Sequence, residues 1–126
     1  MSLFREIANG GEAASTDLHE EVRAHLLRLC RIRRGSLLLA PAYGSDDPAQ
    51  LFHSFPGGLE VWRANLEAAI GTYERRLRAV RVSPKVGESR DLVLRFDIDA
   101  ILVTSSSRGP LHFQASVDPS RGWAMV

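Results

Sequence analysis

From Leu59 to Leu77, apolar residues recur at three- and four-residue steps (Leu59, Trp62, Leu66, Ile70, Tyr73, Leu77), and Val80 and Val82 then alternate with Arg81. The first spacing keeps one side of a helix apolar and the second keeps one face of a strand apolar, so a helix gives way to a strand between Ile70 and Val82. Upstream, Leu18, Val22, Leu26, Leu29 and Cys30 form another helical stripe running to about Arg33. Asp17 as N-cap and Glu20 three residues later mark its start, and Gly35 marks its end. Ser2 to Ala8 reads as a separate two-turn helix with Leu3, Phe4 and Ile7 on one face, closed by Asn9-Gly10-Gly11. So short a helix is marginal alone in water. Residues 1–11 are therefore expected to dock, on their own domain or on a neighbour.

Between Ser36 and Pro56, four prolines and glycines break the pattern, and Leu37-Leu38-Leu39 reads as a short strand. Tyr43 to Pro48 reads as a turn. After Ser83-Pro84 interrupts the chain, Asp91 to Thr104 alternates with one apolar face, and Leu111, Phe113, Ala115 and Val117 alternate again. These two runs predict an antiparallel hairpin, followed by a turn and a terminal strand from Trp123 to Val126. The predicted fold is α+β in a single domain, 1–126. Two main helices pack on a three- to four-stranded, largely antiparallel sheet, with a short N-terminal helix in addition. An open sheet keeps an edge strand at which another chain can pair.

Composition narrows the function. A length of 126 residues with 44% hydrophobic content suits one ordinary domain, and a net charge of +1 supplies no global field for nucleic acid or an anionic membrane. The single cysteine, Cys30, excludes an intrachain disulfide and any multi-cysteine metal site. No apolar run approaches the roughly 20 residues that span a bilayer. Met1 to Gly11 does not read as a signal peptide, so the cytoplasm is the expected compartment. His19, His25, His53 and His112 show no metal-ligand spacing, and no phosphate-binding loop or nucleophile elbow is present. No metal, cofactor or small-molecule substrate is expected.

Glu20, Asp46, Asp47, Glu60 and Glu74 are the candidate carboxylates for glycoside hydrolysis, and none falls in a cleft pattern. The charge-rich junction is more distinctive, with Glu74, Arg75, Arg76 and Arg78 in five positions. Glu74 and Arg78 can pair on one face of a helix. Glu74 and Arg76 can meet only if the chain is already extended there. The backbone at Arg75 decides between a helix-end charge pair and a presented recognition element.

In succession, Ser2-Leu3-Phe4-Arg5-Glu6-Ile7, the helix ending Leu29-Cys30-Arg31-Ile32-Arg33-Arg34-Gly35-Ser36, the Tyr43-Gly44-Ser45-Asp46-Asp47 turn, Ile70 to Val82, and the Leu92-to-Val117 hairpin resemble one family. It is the baseplate wedge (lysozyme-like, GPW) family of contractile injection machines, which includes the small wedge protein of contractile-tailed phages and a baseplate subunit of type VI secretion systems. The resemblance implies a non-enzymatic assembly subunit that joins other baseplate wedge proteins and offers its sheet edge to contractile sheath proteins. The family's Glu-Pro-Arg motif falls on Glu74, Arg75 and Arg76, with arginine in place of proline. Glu74 and Arg76 carry over as partner-binding candidates, alongside Arg75 and Arg78 in the same cluster and Leu3, Phe4 and Ile7 in the docking segment. A muramidase-like hydrolase is the alternative, a phage-tail baseplate protein the close variant, and nucleic-acid binding by the basic first helix a third reading.

Overall fold

A computed structural model describes residues 2–47, 57–85, 93–118 and 120–126, with side chains described from residue 17 onward. Two helices, α1 (Ser2–Arg31) and α2 (Leu59–Tyr73), precede four strands: β1 (Leu77–Lys85), β2 (Leu94–Val103), β3 (Arg108–Asp118) and β4 (Gly122–Met125). The strands form one antiparallel meander in the order β1-β2-β3-β4. This is the predicted α+β class. The side chains of Leu3, Phe4 and Ile7 lie outside the described residues.

Both helical stripes point into one core. Val22, Leu26, Leu29 and Cys30 of α1 meet Trp62, Leu66 and Ile70 of α2 over Leu77, Val82, Phe96, Ile98, Phe113 and Val117 of the sheet, all buried. Trp62 stacks on Trp123 with ring centroids 5.3 Å apart and on Phe96 at 5.2 Å, so the terminal strand is held to α2 by aromatic contact. The core-facing residues alternate along β2 and β3, and the opposite face carries Arg95, Asp97, Asp99, His112, Gln114 and Ser116, with Ile101, Val103 and Pro110 at one end.

Three elements differ from those predicted. α1 is continuous through Gly10 and Gly11, so Asp17 is an interior residue and not an N-cap; each glycine destabilises a helix by only about 1 kcal/mol and does not forbid it. Glu20, instead of closing a capping box, pairs with Arg23 at 2.6 Å. Leu37-Leu38-Leu39 is not a strand, and all three side chains are exposed. β1 runs through Ser83-Pro84 to Lys85, which an edge strand permits because an outward-facing proline has no ladder bond to lose.

Both edges of the sheet are partly covered. On β1, the Val82 N–H donates to Glu67 Oε2 at 3.4 Å and the Val82 carbonyl accepts from Arg63 Nη1 at 3.2 Å, so this residue faces away from β2 and toward α2. Pro84, two residues on, faces the same way and has no N–H. A β-bulge at Ala79, whose φ is +53°, breaks the register between Arg78 and Arg81. On β4, the carbonyls of Trp123 and Met125 accept from Arg31 and Arg23 of α1, each at 3.1 Å. β4 pairs β3 only at 115–118, with Val126 exchanging two 2.9 Å bonds with Gln114. Beside the first half of β3, no strand continues that lane among the described residues.

Candidate functional site

α2 ends at Tyr73, where the Glu74 N–H makes the last helical bond, to Ile70 O at 2.9 Å. Glu74 itself is extended, at φ −110° and ψ 91°. Its carbonyl accepts from Leu77 N at 3.2 Å, closing a four-residue turn with Arg75 and Arg76 at its centre. Arg75 is exposed in the first central position. That is where proline is favoured in such turns, but most residues, arginine included, are accepted there.

With the chain extended at Glu74, Arg76 folds back onto it. Arg76 Nε donates to Glu74 Oε1 and Nη2 to Oε2, both at 2.8 Å, and the Arg76 backbone N–H donates to Oε1 at 3.1 Å. His25 Nδ1 from α1 donates to Oε2 at 2.6 Å. A carboxylate offers about four acceptor positions, and these four donors fill them. Because the carboxylate only accepts, His25 carries a proton on Nδ1, and its Nε2 lies 3.0 Å from the Tyr43 hydroxyl, within hydrogen-bond distance. Arg76 Nη1 reaches back to Glu21 Oε2 at 3.2 Å. The result is a chain from Tyr43 through His25, Glu74 and Arg76 to Glu21, tying α1, the 43–47 segment, the end of α2 and the start of β1 together.

The Glu74 side chain is 3% exposed. Burial alone would push its carboxyl up, but the Arg76 guanidinium, His25 and the Arg76 N–H outweigh it and hold the carboxyl at about 2. Burial pushes the Tyr43 phenol up. A tyrosine, histidine and carboxylate in series have the order of a nucleophile, base and orienter. Here the phenol keeps its proton and the carboxylate has no free acceptor position. Glycoside hydrolysis needs a carboxyl raised toward neutrality. Glu74 is lowered, and so are Glu20 and Glu60 through their hydrogen bonds to Arg23 and Arg63. Among the described residues, no group of three metal-ligating side chains converges.

Of the residues singled out in the sequence, the fold therefore unites Glu74 and Arg76. It does not form the Glu74–Arg78 pair, because the helix ends before Glu74; the Arg78 guanidinium donates instead to the carbonyls of Arg75 and Leu77. His25, Tyr43 and Glu21 were not anticipated as parts of this site. They lie 31 to 53 residues from Glu74 in sequence, a separation that no local spacing rule reaches.

The Tyr43 ring packs edge-on against Tyr73 at 5.0 Å. Asp46 bridges Arg34 Nη1 at 2.6 Å and Asn65 Nδ2 at 2.9 Å, docking the segment after Tyr43 onto α2. Ser45 Oγ donates to Cys30 O at 2.7 Å, and Ser45 N to Ile32 O at 2.9 Å. Gly44 sits between them at φ +120°, where an added Cβ would stand 2.4 Å from Ile32 O.

A family model described as Baseplate wedge protein gp25 matches residues 16–107. Among solved structures, the chain is similar to one from "The baseplate complex from the type VI secretion system", with a TM-score of 0.59 and 18% identity over 87% of this chain and 98% of that one. It is similar to a second, a crystal structure described as a tail lysozyme from Geobacter sulfurreducens, with a TM-score of 0.59 and 16% identity over 82% of this chain and 94% of that one. No curated protein matches.

Proposed function

The chain belongs to the gp25 baseplate wedge family, and from that premise we propose that it is a non-enzymatic structural subunit of a type VI secretion baseplate, a contractile injection machine. It joins other wedge proteins there and helps nucleate sheath assembly from the cytoplasmic side. The match over residues 16–107 carries this reading, because it spans both the Glu74–Arg76 clasp and the first hairpin of the sheet. The shared fold with a chain of a type VI baseplate complex is consistent with that setting.

In this reading the clasp acts indirectly. It fixes the angle at which α2 passes into β1 and binds that corner to α1, so the surfaces offered to neighbours are held in one relative position. The lane beside the first half of β3 is where a partner strand would extend the sheet, since β1 is closed by Pro84, by the bulge and by the Arg63 and Glu67 bonds to Val82. Arg75 stands exposed at the turn for direct contact.

The hydrolase alternative has the name of one structural relative behind it, and the filled acceptor positions of Glu74 against it. Cells deleted for this chain test the proposal directly. Labelled sheath should fail to assemble without it and recover with the wild-type chain, and purified protein should leave cell-wall sacculi turbid. Sacculus lysis abolished by a carboxylate substitution would replace the structural reading with the enzymatic one.

A further inference from the structure

α2 sets Glu60, Arg63 and Glu67 a turn apart on one face, beside β1. Arg63 Nε and Nη2 grip the Glu60 carboxylate at 3.0 and 2.6 Å, and Nη1 donates both to Glu67 Oε2 and to the Val82 carbonyl, the latter at 3.2 Å. Glu67 Oε2 in turn accepts from the Val82 N–H at 3.4 Å. One donor and one acceptor thus meet the two backbone groups that Val82 turns away from β2. A hydrogen-bonded residue on a further antiparallel strand would make the same exchange. Here two side chains supply it.

Room for such a strand exists on either side of them. Grooves of about 570 and 710 Å³ run between α2 and β1, and Arg63 and Glu67 line both. Ala64, Ala68 and Leu77 complete much of the first, and Ser83 and Pro84 part of the second. The helix itself therefore leaves the strand edge open along these grooves, and Arg63 and Glu67 stand where the two meet.

We propose that Arg63 and Glu67 form a guard, occupying the ladder position of a further strand and so keeping the β1 edges of two copies of this chain from pairing. The inference goes beyond the baseplate reading and does not depend on it. A second copy is the occupant excluded, because β1 is complementary to itself about Val82. In an antiparallel pair centred there, each Val82 exchanges both bonds with its counterpart, and exposed Arg81 stands opposite exposed Ser83 of the other copy. No like charges then face each other directly. Pro84 and the bulge at Ala79 shorten any such pairing, so covering the single residue between them is enough to prevent it.

The test is sedimentation of the full chain over a concentration series, with the melting of every variant measured alongside. Arg63→Ala/Glu67→Ala uncovers the Val82 backbone and should raise the self-association constant about tenfold or more over wild type, the effect of two regained backbone bonds. Adding Ser83→Arg sets arginine against Arg81 of the other copy, and this triple variant should return to wild-type association. If the alanine pair does not hold its fold, Glu67→Ala alone, which leaves Arg63 on Glu60, should shift association in the same direction. A folded variant lacking the guard that associates no more tightly than wild type overturns the proposal, and so does association that Ser83→Arg leaves unchanged.

Discussion

Arg76 grips Glu74 with two parallel bonds, Nε to Oε1 and Nη2 to Oε2, both at 2.8 Å, although only Arg75 separates them in the chain. No regular helix permits that contact, and it exists because α2 stops at Tyr73. Breaking a buried pair from one side leaves the other charge uncompensated, which typically destabilises by about 3–5 kcal/mol. Arg76→Ala should therefore lower unfolding free energy in urea by about that much. A change below about 1 kcal/mol would mean the clasp does not organise the corner.

The same carboxylate predicts an acid limb. Its folded value of about 2 lies below the ordinary 4.5, so the unfolded chain binds the proton more readily. The stabilisation is therefore fully present above about pH 4.5 and is lost as pH falls toward 2, on the order of 3 kcal/mol across that window. Denaturation of wild type and Glu74→Gln at stepped pH should show a steeper decline for wild type. Parallel curves would remove Glu74 from the acid response.

At Arg75 a proline should be accepted. The position is exposed, its N–H has no backbone partner among the described residues, and it is the first central residue of the turn. Where a backbone conformation suits proline, the substitution stabilises by about 0.4–1 kcal/mol through the unfolded chain. Arg75→Pro should thus be neutral to stabilising by thermal melting. A loss above about 1 kcal/mol would show that the turn at Arg75 does not have the conformation assigned to it.

Gly44 should tolerate nothing larger. Besides its positive φ, a Cβ would stand 2.4 Å from the Ile32 carbonyl and 2.9 Å from the Arg34 nitrogen, both backbone atoms with no room to yield. Gly44→Ala should destabilise by roughly 1–3 kcal/mol. Gly35→Ala, with no atom within 4 Å of an added Cβ, meets only the strain of φ +90° and should lose less. Equal losses would refute the packing argument.

Periodicity found the helix-to-strand transition and the hairpin because apolar spacing reports which face is buried, and Trp62, Leu66, Ile70 and Val82 are all buried as that spacing requires. It misplaced the start of α1 because a good capping sequence at Asp17 is also compatible with a helix interior. It misread Leu37 to Leu39 because three leucines in a row imply burial, and this loop exposes them. In the clasp, Glu74 and Arg76 were legible as alternatives awaiting one backbone angle. His25 and Tyr43 were not, since only the packing of α1 against the end of α2 brings them to Glu74.

The central claim is that this chain is an assembly subunit and not a catalyst, and co-purification with the baseplate subunits encoded beside it tests that most directly. Tagged wild-type chain, coexpressed with them and passed over a sizing column with mass detection, should elute in a complex of fixed stoichiometry, and Arg76→Ala should reduce the yield of that complex. Elution of the wild-type chain alone, with the other subunits assembled without it, would contradict the account.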